Sequence, residues 1–335
     1  MVKRIVATGV LLTALIRPAI PAPVGAVAIP ALRFHTFIRT GLQLGAVLWD
    51  GRRFLYTVEG GHVIDTSDVS GHGLRAFVTV PGNGGEMRCI VSPGSGGFAP
   101  NAVYCHASDG GIYRINPASR SVALVARLPA PRATDGALTF DTGGRFGGAL
   151  LAATGGSGSG PGAVYAVRPD GGVRLIGPYA GPGGAENIAV APPDFGAAAG
   201  DALITIDDNN RSGRLLAVDP SGHVLTLVRG LADGLNPIVT IVPTHTSSAP
   251  GTSAGPSSGG PIPGLYLADW TSRDVFFAPA AQVRALGASV IVGTELGANL
   301  YAVQPRGAGY QASPIGTNLR ARSYNLEGAF YIDDR

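Results

Sequence analysis

Residues 135–180 read DGALTFDTGG (135–144), GALLAATGG (148–156), GAVYAVRPDG (162–171) and GVRLIGPYA (172–180). Each piece is a short run of alternating or β-branched apolar residues closed by Gly, Asp or Pro, the signature of a strand followed by a tight turn. The same grammar recurs on both sides. AENIAVAPPDFG (185–196), GDALITIDDNN (200–210), GRLLAVDPSG (213–222) and HVLTLVRG (223–230) follow it, and GEMRCIVSPG (85–94), NAVYCHASDGG (101–111), IYRINPASR (112–120) and SVALVARLP (121–129) precede it. An earlier copy starts near Gln43 with AVLWDGR, RFLYTVEGG, HVIDTSD and LRAFVTVP. After Asn236 come PIVTIVP, GLYLADW and DVFFAPA, then SVIVGTE, NLYAVQP, YQASPIG and GAFYIDD.

Four short strands per unit of about 48 residues predict an all-β fold, a β-propeller of four-stranded blades. The 335 residues less the first 28, divided by that period, give about six blades, with seven as the competing count. Residues 34–39 and 328–333 are expected to share one blade and close the ring without a free edge. No segment carries a helical apolar stripe over three turns. The Ser/Gly/Pro-rich stretch 246–263 is expected to be a disordered insertion within a single domain spanning 29–335, with strands resuming in register after it.

Residues 1–28 carry Lys3, Arg4 and Arg17, an apolar run over 5–16 and the small residues Ala26-Val27-Ala28, the pattern of a secretory signal peptide. Its removal leaves 22 Arg against 22 acids and no lysine, because Lys3 is the only one. A neutral domain has no electrostatic case for nucleic acid or for an anionic membrane. A lysine-free one has no Schiff-base or lysine general-base chemistry. The expected location is secreted or extracytoplasmic, the expected state a monomer. Cys89 and Cys105 fall on neighbouring strands within reach of a disulfide, with two buried thiols as the alternative.

In a propeller the loops leading into each first strand and the loops leaving each second strand open on one face. The first set holds Glu86, Asp135, Glu186 with Asn187, Asn236 and Glu327, and the second holds Glu59, His106 with Asp109, Asp207 with Asp208, and Asp269 with Trp270. Two carboxylates about 5 Å apart repel by roughly 3 kcal/mol at an effective dielectric near 20. With no Lys or Arg among the matched leading positions, either a cation or protonation is expected to compensate, and carboxylates mixed with amide oxygens suit Ca²⁺. The competing reading is that these residues cap turns.

The motifs TDGALTFD (134–141), AENIAVAP (185–192), LNPIVTIVP (235–243) and LEGAFYIDD (326–334) resemble those of the six-bladed calcium-dependent propellers related to regucalcin, gluconolactonase and the paraoxonases. The resemblance implies a channel metal, Ca²⁺, on Glu327, Asp135, Asn187 and Asn236, although Pro237 stands where the family has Gly. Two functions follow as expectations. One is a binding scaffold that holds a small molecule or extracellular ligand at the channel mouth. The other is a metal-dependent hydrolase of lactone- or ester-like substrates, with Glu186 or His106 as the catalytic base.

Overall fold

A computed structural model describes residues 29–82, 85–129, 135–155, 161–180, 183–208, 212–232, 234–241, 260–287, 290–319 and 324–333. Residues 1–28, expected from the sequence to be a signal peptide, and residues 246–259 of the expected 246–263 insertion lie outside them. The strands run in chain order: β1 (His35–Arg39), β2 (Leu44–Trp49), β3 (Phe54–Val58), β4 (Val63–Ser67), β5 (Arg75–Thr79), β6 (Arg88–Val91), β7 (Val103–His106), β8 (Gly111–Ile115) and β9 (Val122–Arg127). Then come β10 (Asp135–Phe140), β11 (Leu150–Gly155), β12 (Gly162–Val167), β13 (Val173–Tyr179), β14 (Gly184–Val190), β15 (Ala202–Asp207), β16 (Ser212–Val218), β17 (Val224–Ala232) and β18 (Leu235–Thr240). The last are β19 (Gly264–Asp269), β20 (Asp274–Pro279), β21 (Val290–Thr294), β22 (Leu300–Arg306), β23 (Gly309–Ile315) and β24 (Leu326–Ile332), with one short helix α1 (Ala280–Arg284) after β20. They form six antiparallel four-stranded sheets, the expected propeller: blade 1 (β2–β5), blade 2 (β6–β9), blade 3 (β10–β13), blade 4 (β14–β17), blade 5 (β18 with β21–β23) and blade 6 (β1, β19, β20 and β24). Among the described residues no helix is long and apolar enough to cross a membrane.

Each sheet buries both faces, because a blade is packed between two others. β15 shows how the alternation serves this: Ala202, Ile204 and Ile206 pack toward blade 3 (β10–β13), while Leu203 packs toward blade 5. Hydrophobic material therefore gathers in six layers, one at each interface between neighbouring blades, rather than in one central core. At about 25 cal/mol per Å² of apolar surface removed from water, these layers are the main stabilising term. The inner strands β2, β6, β10, β14, β18 and β24 surround a lumen of about 260 Å³ lined by Val47, Ile90, Leu138, Ile188, Val239 and Phe330 among others.

Ring closure is as expected in one respect and different in another. β24 and β1 do share blade 6, whose order is β1-β20-β19-β24. The hairpin β19–β20, read in sequence as the continuation of blade 5, also belongs to blade 6: Leu267 pairs with Ala329 and with Phe276. Blade 5 is completed by β21–β23, with Ile238 opposite Val292. The stretch after β18 thus carries the chain across to the next blade, and α1 lies on the way back. A second-and-third-strand hairpin has the same apolar alternation in every blade, so its own sequence does not say which inner strand it will pair with. Cys89 and Cys105, register partners on β6 and β7, are joined by a disulfide.

Candidate functional site: an arginine inside a glutamate ring

The site lies at the leading end of the inner strands. In four blades a β-bulge interrupts the pairing there: between Leu44 and Ala46, between Ala185 and Asn187, between Leu235 and Ile238, and between Gly328 and Leu326. The extra residue of a bulge turns out of the ladder, and bulges are used to re-aim side chains near functional sites. The residues freed are Gly45, Glu186, Asn236 with Pro237, and Glu327.

They converge on Arg88, the first residue of β6, whose guanidinium is 5% exposed. Arg88 Nη1 donates to the carbonyl oxygens of Gly45 and Glu327, the latter at 2.8 Å. Arg88 Nη2 lies 3.0 Å from Glu327 Oε2, 3.2 Å from Glu86 Oε2 and 3.6 Å from Glu186 Oε2. Asn236 Nδ2 donates to the same Glu327 Oε2 at 2.6 Å, and Thr205 Oγ1 donates to the Asn236 carbonyl at 2.7 Å. Blades 1, 2, 4 and 6 are thereby tied to one another through one cation, and blade 5 joins them through the Asn236–Glu327 hydrogen bond. Asn236 is fully buried, and its Oδ1 has no hydrogen-bond partner.

The charges are strained. Burial opposes the positive charge of Arg88, but Glu86, Glu327 and Glu186 hold it protonated. Burial pushes the Glu327 carboxyl up to about 7 against the pull of Arg88, with Glu86 and Glu59 adding to the rise. Burial likewise raises Glu186, helped by Glu86 and opposed by Arg88, and it raises Glu59 on the outer side of the ring. Glu295, just past β21, is pushed to about 8 by burial, by Glu327 and by Asp207, with which it shares a hydrogen bond. Near neutral pH that pair holds a proton between two carboxyl groups.

The residues expected from the sequence divide. Glu186, Asn236 and Glu327 meet at the axis as anticipated. Asn187 is one residue too far along: it lines the lumen, and its Oδ1 accepts from the Ile188 N–H at 3.1 Å. Asp135 begins β10 opposite Gly155, and its side chain lies outside the described residues. His106, the register partner of Arg88, stands one strand outward at 1% exposure, and burial drops it to about 4. A Cβ on Gly136 would come within 2.3 Å of its ring, so the next blade seals the imidazole off. Asp269 accepts from the Ser272 and Asn325 N–H groups, Asp109 from the Gly111 N–H and the Tyr113 hydroxyl, and Asp208 pairs with Arg214 at 3.1 Å. Asp269 and Asp109 therefore satisfy backbone N–H groups, as the turn-capping reading expects, while Asp208 is an ion-pair partner.

Arg88 and Glu295 were the residues missed. The expectation of no cation at the leading positions fails because Glu86 occupies the loop while Arg88, two residues on, opens the strand and reaches the axis. Counting back from the apolar pair Cys89-Ile90 would have singled it out. Its presence also bears on calcium. Glu327 Oε2 is already occupied by a guanidinium and an amide, and among the described residues no three His, Cys, Asp or Glu are grouped to hold a metal. As arranged, the ring does not fit a calcium ion.

No protein-family profile matches the chain, and no curated protein sequence does. Solved structures resemble it in fold at low identity. A functionally unknown protein from Desulfotomaculum acetoxidans superposes with a TM-score of 0.48 at 12% identity, over 87% of this chain and 75% of that one. Kuenenia stuttgartiensis hydrazine synthase gives 0.47 at 12% identity, over 85% and 70%, and Saccharomyces cerevisiae Sqt1 gives 0.44 at 10%, over 85% and 64%.

Proposed function

We propose that the protein is an extracytoplasmic binding scaffold whose channel mouth takes up a positively charged group, carried by a small molecule or an extracellular ligand. The observation that carries this reading is the excess of acid at the mouth: Glu86, Glu186 and Glu327 pair with Arg88, Glu59 lies near enough to feel Glu86, and Glu295 with Asp207 lies near enough to feel Glu327. Four of these glutamates are held above their ordinary range. An ammonium or guanidinium arriving beside Glu59 and Glu295 would restore their ionised form, and this relief would favour binding while expelling protons. The Cys89–Cys105 disulfide supports an oxidising compartment.

Calorimetric titration with agmatine and spermidine at pH 7, repeated in buffers of different ionisation enthalpy, tests the reading. Saturable binding with proton release is expected, at least about tenfold weaker in Glu295→Gln, since a charge-assisted contact is worth about 1.5–3 kcal/mol. Equal binding of an uncharged diol of similar length would count against it. A second reading, hydrolysis of lactone- or ester-like substrates, draws on the Glu295–Asp207 pair, where burial and neighbouring acids push the Glu295 carboxyl to about 8 beside a second carboxyl group. A lactone and ester panel that turns over with the wild type and not with Glu295→Gln would favour it.

A further inference from the structure

Arg88 opens β6, and the loop beyond the far end of that strand belongs to a cavity of about 360 Å³ at the opposite end of the blades. The β6–β7 loop of blade 2 contributes Gly96, the β10–β11 loop of blade 3 contributes Phe146 and Gly148, and the β12–β13 hairpin contributes Arg168, Pro169 and Arg174. Glycine lets the two loops meet: a Cβ on Gly96 would collide with the Gly148 carbonyl oxygen, and both residues hold positive φ, 63° and 70°. Asp141 fixes the β10–β11 loop from within, its Oδ2 accepting from the Phe146 and Gly148 N–H groups at 2.6 and 2.9 Å. The walls are thus set before any ligand arrives, which lowers the entropy cost of binding.

The lining holds two arginines and no acid. Arg174 is the register partner of Ala166, and Arg168 stands two residues beyond Ala166, so strand alternation puts both on one face of the hairpin. Arg168 is half committed: its Nε and Nη2 each lie 3.1 Å from an oxygen of Asp170, which leaves the Nη1 donors over. Arg174 is exposed and, among the described residues, has no hydrogen-bond or ion-pair partner. Other arginines at this end are answered, Arg53 by Asp50 at 3.1 Å and Arg145 by Asp201 at 2.6 Å. Two like charges on one wall repel, and an anion between them reverses the sign.

We propose that this cavity binds a small organic acid, its carboxylate on the Arg174 guanidinium with Arg168 Nη1 as second donor, and its compact apolar body against Phe146 and Pro169. A guanidinium fork meets a carboxylate with two parallel N–H···O bonds. The volume falls within the range of about 300–1,000 Å³ usual for small-molecule sites. The cavity lies across the blades from the acidic mouth, carries the opposite charge, and stands or falls apart from the cationic-ligand reading.

The experiment is calorimetric titration of the protein with benzoate, beside benzamide as its uncharged counterpart and inorganic phosphate as charge without an apolar body. Saturable one-to-one binding of benzoate is expected, at least about tenfold tighter than that of either control. Arg174→Gln should weaken it at least about tenfold, and Arg168→Gln about threefold, since that guanidinium is already shared with Asp170. Because Arg174 is exposed and unpaired, Arg174→Gln should melt within about 1–2 °C of wild type, so that lost binding is not lost fold. Glu295→Gln should leave benzoate binding unchanged, which keeps this cavity and the mouth separable. Absence of saturable benzoate binding, equal affinity in Arg174→Gln, or benzamide binding as tightly as benzoate overturns the proposal. Phosphate binding as tightly as benzoate would mean an adventitious ion only and overturns it too.

Discussion

Asp219 and Glu327 are both acids, one between the two outermost strands of blade 4 and the other at the axis in blade 6. Asp219 sits in the outer turn between β16 and β17, where its Oδ1 accepts from the Ser221 and His223 N–H groups at 2.8 and 3.0 Å. The Ser221 side chain and those amides hold its carboxyl below the usual range. The turns at Asp68, Asn116 and Asp170 repeat the arrangement, each side-chain oxygen accepting from the backbone two residues on. Glu327 is almost wholly buried and is pushed the other way, to about 7. A short side chain near its own backbone finds donors locally, in water. A longer one at a converging axis finds other carboxylates, and needs a counter-charge from another blade. Asp68, Asp170 and Asp219 make turns, while Glu86, Glu186 and Glu327 make the ring around Arg88.

The largest test of that contrast is removal of the counter-charge. Arg88→Met in metal-free buffer is expected to cost about 3–5 kcal/mol in denaturant unfolding, the usual effect of orphaning a buried ion-pair partner. A loss below about 1 kcal/mol would reduce the ring to the standing of a surface pair.

The pH profile should show the next effect. Glu327 and Glu295 bind protons more tightly when folded, rising from 4.5 to about 7 and about 8, so their contribution is complete below about pH 4.5 and drains away as pH climbs through 7 to 8. His106 acts in the opposite sense: lowered from 6.5 to about 4, it contributes fully above 6.5 and progressively less as pH falls toward 4. Two groups lose stability for each one that gains it between pH 4.5 and 6.5, so the melting temperature is expected to be highest at about pH 4 and to fall as pH rises toward 8. Glu295→Gln should make that fall shallower, and His106→Gln should make it steeper below about pH 6.5. Unchanged slopes in both variants would mean that the strained groups are not the ones titrating.

The smallest effect belongs to the rim. Asp219→Asn keeps an acceptor for both amides, and a thermal shift within about 1–2 °C is expected, as for most surface substitutions. A loss comparable to that of Arg88→Met would erase the distinction between the two regions.

Much of the architecture was legible in the chain. Strand and turn periodicity is local: LLAATG at β11 and ALITID at β15 alternate between two apolar faces whatever surrounds them, and Asp-Gly or Pro-Ser-Gly turns announce their own geometry. The shared closing blade was readable because its two contributors sit at opposite ends of the chain. The interleaving of blades 5 and 6 was not, since GLYLADW suits the second strand of either blade equally well. At the site, the convergence of Glu186, Asn236 and Glu327 followed from period matching. The bulges that turn them inward leave no mark in residue type, and a two-residue offset between a loop and a strand was enough to hide Arg88 behind Glu86.

The sequence by itself determined that this chain is a ring of four-stranded blades with acids recurring near the axis, because secondary structure and repeat period depend on neighbours a few residues apart. Only the tertiary structure decided what balances those acids. Charge compensation at the axis depends on which side chains from five blades meet within about 4 Å, the range over which a buried ion pair counts, and that distance is set by ring closure and strand register rather than by any local pattern.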